Sequence, residues 1–99
     1  MNESQDNDET INLGAKTTRC LNEIGIYTRC DLEQISPVKA FVKMKHECVS
    51  MKPSLNLLYA LVGYLEDRHW AEVAKQDKDR LVREVNVEMK LQEILKANE

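Results

Sequence analysis

A chain of 99 residues has material for one modest domain, and 42 % apolar with 31 % charged residues is an ordinary balance for a soluble one. Three Gly and two Pro are too few for the many tight turns of an all-β domain, so helix is expected. A formal net charge of −3 does not by itself suggest a nucleic-acid binder, and the longest apolar-rich run, Leu55 to Leu65, is interrupted by Asn56 and far below the roughly 20 residues that span a bilayer.

Residues 1–10 carry Glu3, Asp6, Asp8 and Glu9 with no base among them. They are expected to be a disordered acidic tail, with no signal peptide or lipid anchor visible, in a cytoplasmic protein. A sharper reading has this leader screening a basic face until a partner arrives. Residues 11–99 then hold 14 basic against 13 acidic side chains and are expected to form a single helical domain.

Leu13, Thr17, Leu21 and Ile24 recur at helical spacing and mark a first short helix, closed by Gly25. Thr28 is placed to cap a second, with Asp31 in its first turn and Leu32 and Ile35 facing inward. Ser36-Pro37 ends it and starts a third, Pro37 to Glu47, with Val38, Phe41 and Val42 as its apolar stripe. Val49 to Pro53 reads as a loop. Ser54 caps a fourth helix, Leu55 to about Glu66, which is apolar on nearly every side and is expected to be the buried central post. Asp67 to Trp70 reads as a turn, with the Trp70 ring beneath that post and Tyr59 and Tyr64 also in the core.

A long helix is expected from about Asp77 to Ala97. At about 100° per residue, Leu81, Val82, Val85 and Met89 share one side and Val87, Leu91, Ile94 and Leu95 another. Either this helix breaks near Val85-Asn86-Val87, three poor helix formers, or its second stripe meets a partner.

Cys20, Cys30 and Cys48 are an odd number at spacings of 10 and 18, with no Cys-x-x-Cys. Free thiols and no disulfide framework are expected. His46 and Cys48 are only two neighbouring ligands, and His69 is remote, so no metal site is expected. A nucleophile elbow, a phosphate-cradling Gly loop and a His-Glu-x-x-His helix are all missing from the sequence, so no catalysis, cofactor or small-molecule substrate is expected.

One motif is more specific. Asn12-Leu13-Gly14-Ala15-Lys16-Thr17 sets a Gly just before a helix, with Lys16 and Arg19 in its first turns. Such an N-terminus favours an anion through its unpaired N–H groups and partial positive charge, as helix-hairpin-helix modules hold a DNA phosphate. The competing reading is a glycine needed for packing and two solvated bases. Lys39, Lys43 and His46 line one face of the third helix, in a segment (36–53) with four Lys against the single acid Glu47. That face is either solvated or a sequence-independent phosphate surface.

Ile11 to Lys16, Gly25-Ile26-Tyr27-Thr28 with Asp31-Leu32, Ser54-Leu55-Asn56-Leu57-Leu58-Tyr59-Ala60-Leu61 and Arg68-His69-Trp70 together resemble the C-terminal domain of the TfoX/Sxy family, over about residues 11–84. Those proteins are bacterial regulators of natural competence and DNA uptake. The resemblance implies a compact five-helix domain related to helix-hairpin-helix and SAM-like folds, here with a C-terminal helix extension over 85–97. It also implies a role in transcription of DNA-uptake genes, in some bacteria together with the cyclic-AMP receptor protein, and it brings no catalytic or cofactor residue. Ala15 stands where the family usually has Pro. The N-terminal α/β domain of two-domain members is expected to be absent, since ten residues precede the match.

Two functions from different classes follow. The first is a DNA-backbone contact at Leu13, Gly14, Lys16 and Arg19, widened by Lys39 and Lys43. The second is a protein-binding module whose interface is Val87, Leu91, Ile94 and Leu95, for a transcription factor, a separate N-terminal domain or a second copy. Near-neutral charge favours the second. No membrane contact is expected in either case.

Overall fold

The computed structural model describes residues 9–48 and 51–97. Among the described residues five helices follow one another: α1 (Ala15–Glu23), α2 (Arg29–Ile35), α3 (Pro37–Glu47), α4 (Leu55–Glu66) and α5 (Trp70–Ala97). Among the described residues there is no strand, only an isolated antiparallel bridge between Thr10 and Thr28. The all-α, five-helix architecture with a long last helix is as the sequence predicts.

Local chemistry sets the short helices. Thr28 caps α2 with its hydroxyl on the Asp31 N–H, while the Asp31 carboxylate accepts from the N–H groups of Thr28 and Tyr27. Those backbone donors hold the Asp31 carboxyl below the usual range. Ser36 both ends α2 and caps α3 through the Lys39 N–H, and Pro37 occupies the first position of α3.

The expected central post is present. Leu58 and Leu61 of α4 are fully enclosed, Tyr59 and Val62 nearly so, and α3 and α5 pack around them. Leu21, Leu32, Phe41, Met44, Val73, Leu81 and Val85 complete the core. Two contacts fasten the C-terminal end of α4. The Arg29 guanidinium donates to the carbonyls of Tyr64 and Leu65, 3.2 and 2.6 Å, and lies over the Tyr64 ring, so a cation closes the negative end of the helix. At Gly63 a Cβ would collide with the Arg68 carbonyl oxygen, so glycine lets the chain reverse tightly into α5.

Four expectations need correction. Residues 1–8 of the expected tail lie outside the described residues, but Glu9 and Thr10 belong to the fold. The Arg29 N–H donates to the Glu9 carbonyl at 2.7 Å and the Tyr64 hydroxyl to its carboxylate at 2.9 Å. Burial and that carboxylate raise the Tyr64 phenol above its ordinary value. Second, α5 begins at Trp70, not near Asp77, because the His69 ring caps it through the Ala71 N–H. Third, Trp70 is not core: it is 46 % exposed at the first position of α5, and Val73, one turn on, fills the inward place. Fourth, Cys20 and Cys48 are joined as a disulfide between α1 and the end of α3, with Cα atoms 5.7 Å apart, and only Cys30 is a free thiol. In the expected loop, Val49 and Ser50 lie outside the described residues, and Met51 to Pro53 are non-helical.

Candidate functional site

The helix α5 runs unbroken for 28 residues, through Val85-Asn86-Val87. Its first half is anchored. Asp77 receives Arg68 in two bonds, 3.0 and 3.1 Å, and Arg80 at 2.9 Å, while Arg80 also reaches Glu84. These two guanidinium groups hold the Asp77 carboxyl down at about 2. Val73, Leu81 and Val85 are buried against α3 and α4, and Val82 and Met89 are half-buried.

Beyond Met89 every described residue of α5 is exposed. Val87, Leu91, Ile94 and Leu95 are 61, 47, 53 and 55 % exposed on one face, so the sequence-predicted stripe is left uncovered. The break near Val85-Asn86-Val87 does not occur: the helix is continuous, with its second stripe exposed. Glu88, nine-tenths buried at the margin of that face, accepts a hydrogen bond from Gln92.

The other candidate is the start of α1. Gly14 takes φ +95° and ψ 155°, a conformation closed to most side chains, and aims the chain into the helix. No side chain caps this end, so the first-turn N–H groups of Ala15, Lys16 and Thr17 are left for solvent or a ligand. The Leu13 N–H is occupied by the Thr18 hydroxyl at 3.1 Å, which withdraws Leu13 as a donor. Lys16 and Arg19 are exposed, Arg19 beside a shallow hollow lined also by Asn12, Thr18 and Glu23. On α3, Lys39 is exposed and Lys43 half-buried. The Cys20–Cys48 link joins the two basic helices next to Arg19 and one turn or so past Lys43, leaving Lys39 farther back along α3.

The sequence reading missed an open groove between α4 and α5 that Trp70 lines. The signal was Trp70 itself, placed between a turn and a polar stretch rather than within an apolar stripe. No group of residues able to hold a metal occurs among the described residues, and no described helix is long and apolar enough to cross a membrane.

Among curated proteins and solved structures, none matches the chain. The family model of the TfoX C-terminal domain matches residues 8–85, most of the chain, and leaves the outer turns of α5 beyond its end. Five helices in the expected order and a family match of that extent lead to one conclusion: the chain belongs to the TfoX C-terminal domain family.

Proposed function

We propose that this domain is a non-catalytic regulatory binding module, acting in transcription control of DNA-uptake genes through a protein partner held on the outer face of α5. The observation that supports this reading is the exposed row of Val87, Leu91, Ile94 and Leu95 on a helix that stays continuous past the packed core. Exposed apolar side chains aligned on one face usually meet another surface. Each is about half covered already, so completing its burial adds only about 1 kcal/mol. Four such gains barely match the cost of association, about 4 kcal/mol or more. The stripe therefore suits a reversible complex in which the partner adds contacts of its own.

The test is association of the purified chain with itself by sedimentation, and with a TfoX N-terminal domain or the cyclic-AMP receptor protein by calorimetry. Binding in any of these, lost in Leu91→Glu with Ile94→Glu at unchanged helicity, is the expected result. A monomer that binds none of them overturns the proposal.

A second reading is favoured by one feature, the uncapped α1 N-terminus with Lys16 and Arg19 exposed beside it. It gives the domain a DNA-backbone contact, with Gly14 at the phosphate and Lys39 and Lys43 widening the patch. Anisotropy of a labelled random-sequence duplex should then show micromolar binding at about 50 mM salt that collapses at about 200 mM. Lys16→Glu with Arg19→Glu should weaken it without lowering Tm. Absence of binding at low salt removes this reading.

A further inference from the structure

The open groove between α4 and α5 holds neither of the features invoked above. It has a volume of about 530 Å³, and its walls include Leu55 and Tyr59 from α4 and Trp70, Ala74, Lys75 and Lys78 from α5. The two helices are joined by only three residues and pack against each other, and the groove lies along their seam. Its floor is apolar, with Tyr59 4 % exposed, and its rim is open, with Leu55 37 % and Trp70 46 % exposed. An accessible tryptophan lining the same groove as a leucine, on a two-helix seat, has the composition of an interface anchor.

The charges on this groove have one sign. Lys75 and Lys78 are exposed, neither has an ion pair among the described residues, and no acidic side chain lines the walls. Arg68 in the preceding turn and Arg80 of α5 differ, since both are paired with Asp77 and its neighbours. Among the described residues the charges that line the trough are thus positive, within a chain of net −3. From Trp70 to Lys78 the trough follows about 12 Å of helix, the length of two turns of a partner helix.

From these observations we infer that the α4–α5 groove docks an amphipathic helix of another protein whose apolar face is flanked by acidic residues. The partner's leucine-type side chains lie against Leu55, Tyr59 and Trp70, as an amphipathic helix lies in a hydrophobic groove. Its carboxylates meet Lys75 and Lys78 at the rim. Charge at the rim selects the partner, and the tryptophan anchors it.

Trp70 is the chain's only tryptophan, so its fluorescence reports on this groove alone. The probe is a synthetic helix of about 15 residues without Trp, with Leu at i, i+3, i+4 and i+7 and Glu on both flanks. The control carries Lys at every Glu position. The Glu peptide should shift Trp70 emission to the blue saturably, and the Lys peptide should not. Lys75→Glu with Lys78→Glu, both on exposed positions, should weaken the Glu peptide by about tenfold and reverse the preference. Leu55→Glu should weaken the Glu peptide, with far-UV dichroism confirming that each variant keeps its helices. Three results overturn the inference: no shift, equal affinity for both peptides, or binding unchanged by the charge reversal. A shift that depends on protein concentration without peptide also overturns it, because the occupant is then a second copy.

Discussion

The two halves of α5 belong to one helix and obey different rules. From Trp70 to Met89 the helix is tied down by Val73, Leu81 and Val85 in the core and by the Arg68–Asp77–Arg80 pairs on its flank. From Lys90 to Ala97 none of the described residues covers it, although apolar side chains recur at the same helical period. Hydrophobic periodicity therefore reports a face that wants burial, without saying whether the covering surface belongs to the same chain. The packed half makes the fold, and the projecting half is free to meet something else.

The same substitution in each half breaks this comparison most sharply. Leu81→Ala, at a site 1 % exposed, should cost about 2–5 kcal/mol in urea unfolding, while Leu91→Ala, at 47 %, should change stability by less than about 0.5 kcal/mol. Equal costs would mean that the outer half is buried within the folded chain. A smaller effect is expected where the packed half begins. Gly63→Ala forces a methyl group onto the Arg68 carbonyl and should lower stability by about 1–3 kcal/mol, seen as a drop in Tm. Smaller again, Arg29→Met removes two charge-assisted bonds to the end of α4 and should cost about 1 kcal/mol by denaturant titration.

The mildest test is acid titration. Asp77 holds its carboxyl at about 2 against an ordinary 3.8, so its contribution is complete above about pH 4 and is lost as pH falls through about 2. Asp77→Asn should therefore flatten that part of the acid limb of the stability curve, measured by thermal melts. An unchanged limb would show that the Arg68–Asp77–Arg80 pairs do not fasten the start of α5.

Much of the fold was legible because local chemistry and pattern agree. Thr28 with Asp31, and Ser36 with Pro37, mark helix ends by side-chain bonds that reach only three residues, and the structure places those ends there. The start of α5 was not legible. Between Trp70 and Leu81 the chain is mostly polar, and its helical order rests on the His69 cap and on Arg68, Asp77 and Arg80 meeting across a turn. The continuity through Val85-Asn86-Val87 follows from magnitudes. Together these three residues disfavour helix by at most about 2 kcal/mol, and burying Val85 returns about 1.5–3 kcal/mol.

Tertiary facts account for the remaining misses. Cys20 and Cys48 meet because α1 crosses the end of α3, which spacing along the chain does not encode. Glu9 and Thr10 look like the rest of an acidic leader, yet the Thr28 turn and Tyr64 provide partners for them from elsewhere in the fold. Of the candidate sites, the grouping of Val87, Leu91, Ile94 and Leu95 on one face was legible by arithmetic alone, whereas the continuity of the helix that carries them was left open. The groove was not, because it needs α4 and α5 to pack side by side and Trp70 to stay exposed.

The central claim is that the outer face of α5 carries the regulatory function. Its most direct measurement is a DNA-uptake gene reporter in a competent bacterium expressing the wild-type chain, the Leu91→Glu, Ile94→Glu variant, or the Lys16→Glu, Arg19→Glu variant. The account predicts that the reporter response to the chain is lost with the α5 variant and kept with the α1 variant, at equal protein levels. A full response from the α5 variant would contradict it.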